Sequence, residues 1–271
     1  MELKQLDLED IKALREARIK ELRIPLVVDF YELAVKHGTY WGLSLKGETI
    51  GYWVYLEKFF APWYENSIIE LYIKKGYRAL GDEIFHLITK QFEPKGIYVR
   101  TDDTFLLSFL LEKGYKFDVV APLLLREKKV DIKHQEKLEF RPISEETFDD
   151  AFKILISEEQ QNLGVKKEDY HQIKSEIDKD KYWTLIREGM IVGVAYWMKQ
   201  SYNNYVTIVP IVHRNFRRRG YGSYIISKLA DYLENKNYQL IAFMNKINIA
   251  ARKAFRKSGF HLKALHLLFK L

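Results

Sequence analysis

The residues with the most chemical potential form one run, His213-Arg214-Asn215-Phe216-Arg217-Arg218-Arg219-Gly220-Tyr221-Gly222-Ser223. Arginines followed by closely spaced glycines suit a compact anion. Glycine lets an oxygen reach the backbone, and guanidinium groups add charge-assisted hydrogen bonds. The apolar stretch Tyr205 to Val212 precedes the run and reads as a strand. Tyr224, Ile225, Leu229 and Leu233 follow it at helical spacing. Arg217-x-x-Gly220-x-Gly222 is therefore expected at a strand-to-helix turn. The first N–H groups of a helix lack intrahelical acceptors, and the macrodipole adds positive charge there. Such a turn is a ready cradle for a diphosphate. The motif alone carries little weight, since it arises by chance in roughly one chain in fifteen of this length. A solvated basic loop would use the same residues, so its position between strand and helix is what matters.

The elements that must position this turn occur twice. Tyr40-Trp41-Gly42-Leu43 with Gly47 and Gly51 is matched by Tyr182-Trp183-Thr184-Leu185 with Gly189 and Gly193. Both stretches read as a hairpin with a glycine in its turn. Each copy continues with an apolar strand, a glycine-containing loop, a helix, a short strand, and a helix ending at Gly114-Tyr115 or Gly259-Phe260. Each closes on an apolar strand, Leu123-Leu124-Leu125 or Leu265 to Leu268. A duplicated α/β fold with a mixed sheet is expected, with copies at residues 1–126 and 138–271. The charged stretch 127–137 between them reads as a linker. Pro210 cannot donate to a ladder, so a bulge is expected there that splays its strand from a neighbour and opens a slot.

The bulk composition agrees. The chain has 271 residues, which suits two domains of about 130 each, and 47% of them are hydrophobic. There is no cysteine, which excludes disulfides and thiolate chemistry. The opening MELKQLDLED is mixed in charge, without the apolar stretch of a signal peptide, and no apolar run is long enough to span a bilayer. A cytoplasmic location away from membranes is expected. The net charge of +7 is densest at the arginine run and otherwise interleaved with acid, which favours a small anionic ligand over nucleic acid. The histidines show no metal-ligand spacing, so no metal is expected. The aromatic cluster Phe59-Phe60-Ala61-Pro62-Trp63-Tyr64 fits either core or an acceptor pocket.

The run from Val212 to Ser223 resembles the diphosphate-binding segment of the GNAT acetyltransferases, often V-x-P-x-Y-R-x-x-G-x-G-S. Asn248-Ile249-Ala250-Ala251-Arg252-Lys253-Ala254-Phe255, ending at Gly259-Phe260, is similar to the family's next segment. The resemblance covers residues 138–271 well, and residues 1–126 only in element order and a few positions. It implies two tandem acyl-CoA N-acyltransferase domains, each a splayed mixed sheet flanked by helices. Acetyl-CoA would be the cosubstrate on the second copy. Backbone near Ile211 and Val212 would pair with its pantetheine arm. Amides of Arg217, Arg218, Arg219, Gly220, Tyr221 and Gly222, with Ser223, would hold its diphosphate, and Asn248 and Phe255 would border the thioester end. The acetyl group would pass directly to an amine on a small molecule or peptide, in a ternary complex. A catalytically weak acyl-CoA-binding protein is the alternative, because the family's proton-donating tyrosine falls on Phe255. A nucleic-acid-binding protein that uses the basic loop is the second alternative. The strand before the loop carries no carboxylate, so candidates for a base are Glu158, Glu159 and, in the first copy, Glu70. In that copy Arg78 and Gly81 keep the pattern while Glu83 stands where Gly222 does, and a carboxylate there would repel a diphosphate. The first copy is expected not to bind coenzyme A in the usual way, and to serve instead as a structural partner or to shape the acceptor site. The tandem chain could itself mimic a dimer, and its oligomeric state stays open.

Overall fold

The computed structural model describes residues 1–22, 37–58, 65–163, 178–200 and 204–271. The chain divides into two compact units, Met1–Leu123 with Lys263–Leu271, and Leu124–Leu262. The elements run β1 (Glu2–Leu6), α1 (Leu8–Glu21), β2 (Thr39–Leu45), β3 (Glu48–Leu56), β4 (Ser67–Ile73), α2 (Gly81–Phe92), β5 (Gly96–Arg100), α3 (Thr104–Glu112) and β6 (Phe117–Arg126). The series then repeats as β7 (Leu138–Pro142), α4 (Glu145–Leu163), β8 (Tyr182–Arg187), β9 (Met190–Lys199), β10 (Tyr205–Val212), α5 (Tyr221–Glu234), β11 (Gln239–Phe243), α6 (Ile249–Lys257) and β12 (Phe260–Lys270).

Strand order in the first unit is β1-β2-β3-β4-β5-β12-β6, so the last strand of the chain is inserted in the first sheet between β5 and β6. Its pairing with β5 runs antiparallel from His266↔Arg100 to Lys270↔Gly96. Sequence order groups Leu265 to Leu268 with the second copy, whereas the contacts group them with the first. Strand order in the second unit is β11-β10-β9-β8-β7. The duplication extends to the hairpin turns. Lys46-Gly47 and Glu188-Gly189 are both two-residue connections with both residues at positive φ, as the twist of tight hairpins demands.

In each unit helices cover both sheet faces. In the second, Tyr221, Ile225, Ile226, Leu229, Ala230 and Leu233 of α5 are buried against Val206, Ile208, Leu240 and Ala242. Their spacing is that of a single helix face, and each large side chain buried there contributes about 1.5–3 kcal/mol. On the opposite face α4 packs Phe148, Ala151 and Leu155 towards Val194. In the first unit α2 and α3 bury Ile84, Phe85, Ile88, Leu106 and Leu110 on one face, and α1 buries Ile11 and Leu14 on the other.

These layers fix where β10 opens. It pairs with β9 along its whole length, from Val206↔Lys199 to Val212↔Gly193, with no shift of register. It pairs with β11 only from Tyr205 to Thr207. The splay expected at Pro210 is present, but it arises without the expected bulge in the β9–β10 ladder. Gln200 donates to the Tyr205 carbonyl and His213 to the Val192 carbonyl. Odd-numbered residues therefore bond β9, while Ile208, Pro210 and Val212 face the other way. Proline at 210 leaves the β9 ladder whole.

Candidate active site

The Thr207↔Ile241 bridge is the last with β11 and takes the Ile208 N–H. Beyond it the free edge of β10 presents the carbonyls of Ile208 and Pro210 and the N–H of Val212 to the opening. By the same alternation the polar groups of Ile211 are spent on β9. Of the two slot residues expected from sequence, Val212 therefore lines the free edge and Ile211 does not. Ile211 is instead buried.

The chain leaves β10 through a short 3-10 turn, Arg214–Phe216. Arg217 Nε donates to the Val212 carbonyl at 3.2 Å, tying the loop to the strand it has just left. Arg218 (φ 65°) and Gly220 (φ 89°) then adopt the left-handed conformation. Two such residues around Arg219 turn the chain sharply into α5. Gly220 is the N-cap, and among the described residues no side chain caps this helix. The amides that open α5 thus stand at an uncapped, positive helix end. Arg214, Arg217, Arg218, Arg219 and Gly220 are exposed. Tyr221 and Ser223 point inward and are buried, and the Ser223 carbonyl accepts from Ser258 Oγ at 3.1 Å.

Gly222 sits in the first turn facing both walls. A β-carbon there would lie 3.8 Å from Val212 Cγ2 and 3.9 Å from Ala254 Cβ. The far wall is α6, whose Ala250, Ala251 and Ala254 keep it low. Asn248 is its N-cap, with Oδ1 accepting from the Ala251 amide at 3.0 Å. Phe255 does not reach the loop. It is buried in the core, edge-on to Phe260 at 4.9 Å.

The first unit has the same parts closed. Strands β4 and β5 pair only at Ser67 and Ile68 before separating. Arg78 Nε bonds the Ile73 carbonyl at 3.2 Å, as Arg217 bonds Val212, and Asp103 caps α3 at Leu106, as Asn248 caps α6. Gly81, however, is α-helical, with φ −53°, and no residue of the Lys74–Gly81 turn has positive φ. Where α6 has alanines, α3 has Phe105 and Phe109. A β-carbon on Gly81 would lie 3.3 Å from the Phe109 ring. The Arg78 guanidinium lies 4.9 Å over the Phe105 ring and is ion-paired with Glu21. Glu83 is exposed.

Glu70 is fully buried on β4. Arg15 donates to it through Nε at 3.1–3.2 Å and Nη2 at 2.8 Å, Tyr52 donates its hydroxyl at 2.9 Å, and Arg18 pairs with it at 3.4 Å. Burial pushes its pKa up, but the two guanidiniums and the hydrogen bonds outweigh that and hold it below the usual carboxylate range. A carboxylate held in this way is a counter-ion and a weak base. Glu158 and Glu159 lie on α4, but their side chains fall outside the described residues, as does the cluster Phe59 to Tyr64. Sequence reasoning missed His134, Glu136 and Arg187, which gather beside the Gly220 turn. Burial of Ile132, two residues before His134, shows that the supposed linker packs. The apolar alternation Val130-x-Ile132 was the available signal.

Comparison with known proteins agrees with this geometry. A model described as "Acetyltransferase (GNAT) domain" matches residues 7–125, and one described as "Acetyltransferase (GNAT) family" matches residues 145–260. The chain belongs to the GNAT acetyltransferase family. Among solved structures, a GNAT acetyltransferase from Colwellia psychrerythraea superposes with a TM-score of 0.83 at 15% identity, covering 100% of both chains. A GCN5-related N-acetyltransferase from Sphaerobacter thermophilus gives 0.70 at 14%, covering 100% of this chain and 95% of that one. A tandem GNAT protein from the clavulanic acid biosynthesis pathway gives 0.62 at 11%, covering 100% and 98%. At these identities the likeness is one of fold. No curated protein matches the chain. Both GNAT domains are thus present, and among the described residues no helix is long and apolar enough to cross a membrane.

Proposed function

We propose that this protein transfers an acetyl group from acetyl-CoA to an amine, with the cosubstrate held by the second unit alone. The observation that carries the reading is the opening of β10 from β11 in front of an uncapped helix N-terminus with a left-handed Gly220. A diphosphate suits the amides that open α5 and the flanking arginines. An extended amide-bearing arm suits the free edge at Ile208 and Val212, and the low α6 wall leaves room for it. Acetyl-CoA supplies the activated acyl carbon as a thioester. The protein positions that carbon beside an amine and offers backbone N–H groups where negative charge develops. The acceptor is a small-molecule or peptide amine.

Phe255 supports a second reading, in which the second unit binds acyl-CoA without efficient transfer. It is a core residue with no proton to give, and β10 carries no carboxylate. Acid catalysis must come from another group or from solvent. Thermal unfolding with and without acetyl-CoA tests the shared premise, since a ligand of the folded state raises the midpoint. A midpoint unmoved at millimolar acetyl-CoA sinks both readings. Thiol release across a panel of amines then separates the enzyme from the binder.

A further inference from the structure

We propose that His134, from the segment joining the two repeats, is a positioning residue for the diphosphate grip; this rests on the acetyl-CoA reading above. Residues 130 to 136 run alongside the start of α5 as a strap. The Val130 carbonyl accepts from Ser227 Oγ, and Asp131 pairs with Lys228 Nζ at 3.0 Å. His134 Nε2 lies 2.9 Å from the Arg219 carbonyl. Its Nδ1 accepts from the Glu136 amide at 3.2 Å, which leaves the proton on Nε2 to donate to that carbonyl. The imidazole stands 4.9 Å from the Tyr221 ring, and Glu136 accepts from the Tyr221 hydroxyl while pairing with Arg187 at 3.4 Å.

The consequence follows from the planarity of one peptide. In a trans peptide the carbonyl of residue 219 and the N–H of Gly220 point in opposite directions. By holding the Arg219 carbonyl towards the strap, His134 directs the Gly220 N–H away from it. Glycine tolerates both senses of this peptide, so the turn does not fix the orientation by itself. Flipped, the same peptide would present a carbonyl oxygen where an amide is wanted and repel an anion. The strap therefore selects the anion-accepting state of the loop before any ligand arrives. A β-carbon on Gly220 would lie 3.9 Å from the imidazole, so strap and turn are in contact without crowding.

His134→Phe keeps a ring against Tyr221 but removes the donor, and His134→Gln restores an N–H of similar reach. H134F should weaken coenzyme A binding about tenfold, a loss in the range of one hydrogen bond, and leave acetyl-pantetheine, which has no diphosphate, unchanged. H134Q should recover most of the loss. Equal weakening of both ligands, or of neither, overturns the proposal. The ligand-free protein gives a separate reading: the Gly220 amide resonance should move in H134F and return in H134Q, and a resonance unmoved in both overturns the strap's role. If the wild-type protein binds no coenzyme A, the acetyl-CoA reading falls, and the Gly220 resonance alone decides whether His134 orients the turn.

Discussion

Gly222 allows stability and binding to be separated by one methyl group. It lies in the first turn of α5 with no positive φ, and its nearest neighbours to an added β-carbon are Val212 Cγ2 at 3.8 Å and Ala254 Cβ at 3.9 Å, both ordinary contact distances. Gly222→Ala therefore introduces no clash and no backbone strain. Glycine in a helix is less favourable than alanine by roughly 0.5–1 kcal/mol, because the unfolded chain loses more freedom on folding. The ligand-free variant should be more stable by up to that amount, a rise of about 2–4 °C for a unit of this size. The same methyl stands between the strand edge and the low wall of α6, where the proposed ligand approaches the backbone. Loss of one hydrogen bond to a charged group costs about 1.5–3 kcal/mol, so coenzyme A affinity should drop about ten- to a hundredfold. Scanning fluorimetry of the free protein and calorimetric titration with coenzyme A measure the two effects. A variant that melts higher and binds coenzyme A as tightly as the parent would refute the placement of the ligand. One that melts lower would refute the packing around Gly222.

Three further outcomes are expected. Calorimetric titration with coenzyme A should saturate at one per chain, because Phe105 and Phe109 fill the first unit's opening; two per chain would contradict that. Phe269→Ala should cost about 3–5 kcal/mol, as for other buried phenylalanines, and hydrogen exchange should locate the loss at β5 rather than β11, because β12 pairs with β5. His266 is held well below the ordinary imidazole value by burial, then by Arg100 and Arg18. The unfolded chain therefore binds a proton near pH 6.5 that the folded first unit refuses. Stability is complete above that pH and falls by up to about 1.4 kcal/mol per unit below it. His266→Gln should flatten that slope in denaturant titrations between pH 6.5 and 5, and equal slopes would show that another group is responsible.

The sequence made the repeat and the loop legible because both depend on local signals. Glycine in a two-residue turn, helical spacing after an apolar strand, and an arginine run before two glycines each state their own geometry. Long-range pairing left no such mark. Leu265 to Leu268 is an apolar strand that would fit either sheet, and only its register with Gly96 to Arg100 assigns it to the first. Pro210 correctly announced an opening but suggested the wrong device. Its missing N–H faces the free edge, so the β9 ladder needs no bulge, and the opening comes from β11 parting after Thr207. The strap was obscured by composition. Its charges read as solvated, whereas Asp131 and Glu136 are paired with Lys228 and Arg187 and bound into the second unit.

The two copies also show which changes matter for a diphosphate site. Both keep an arginine bonded to the last carbonyl of its strand, and both keep an Asx cap on the following helix. Those shared features build the turn without opening it. The copies part at backbone conformation and side-chain bulk: left-handed Arg218 and Gly220 against a continuous α-helical entry at Gly81, and alanines against Phe105 and Phe109. Charge repulsion at Glu83, the difference most visible in sequence, is secondary, because an exposed carboxylate can turn into solvent whereas a filled groove admits nothing. Replacing Glu83 by glycine would therefore leave the first unit closed. Opening it would require small residues at 105 and 109 together with a left-handed residue ahead of α2.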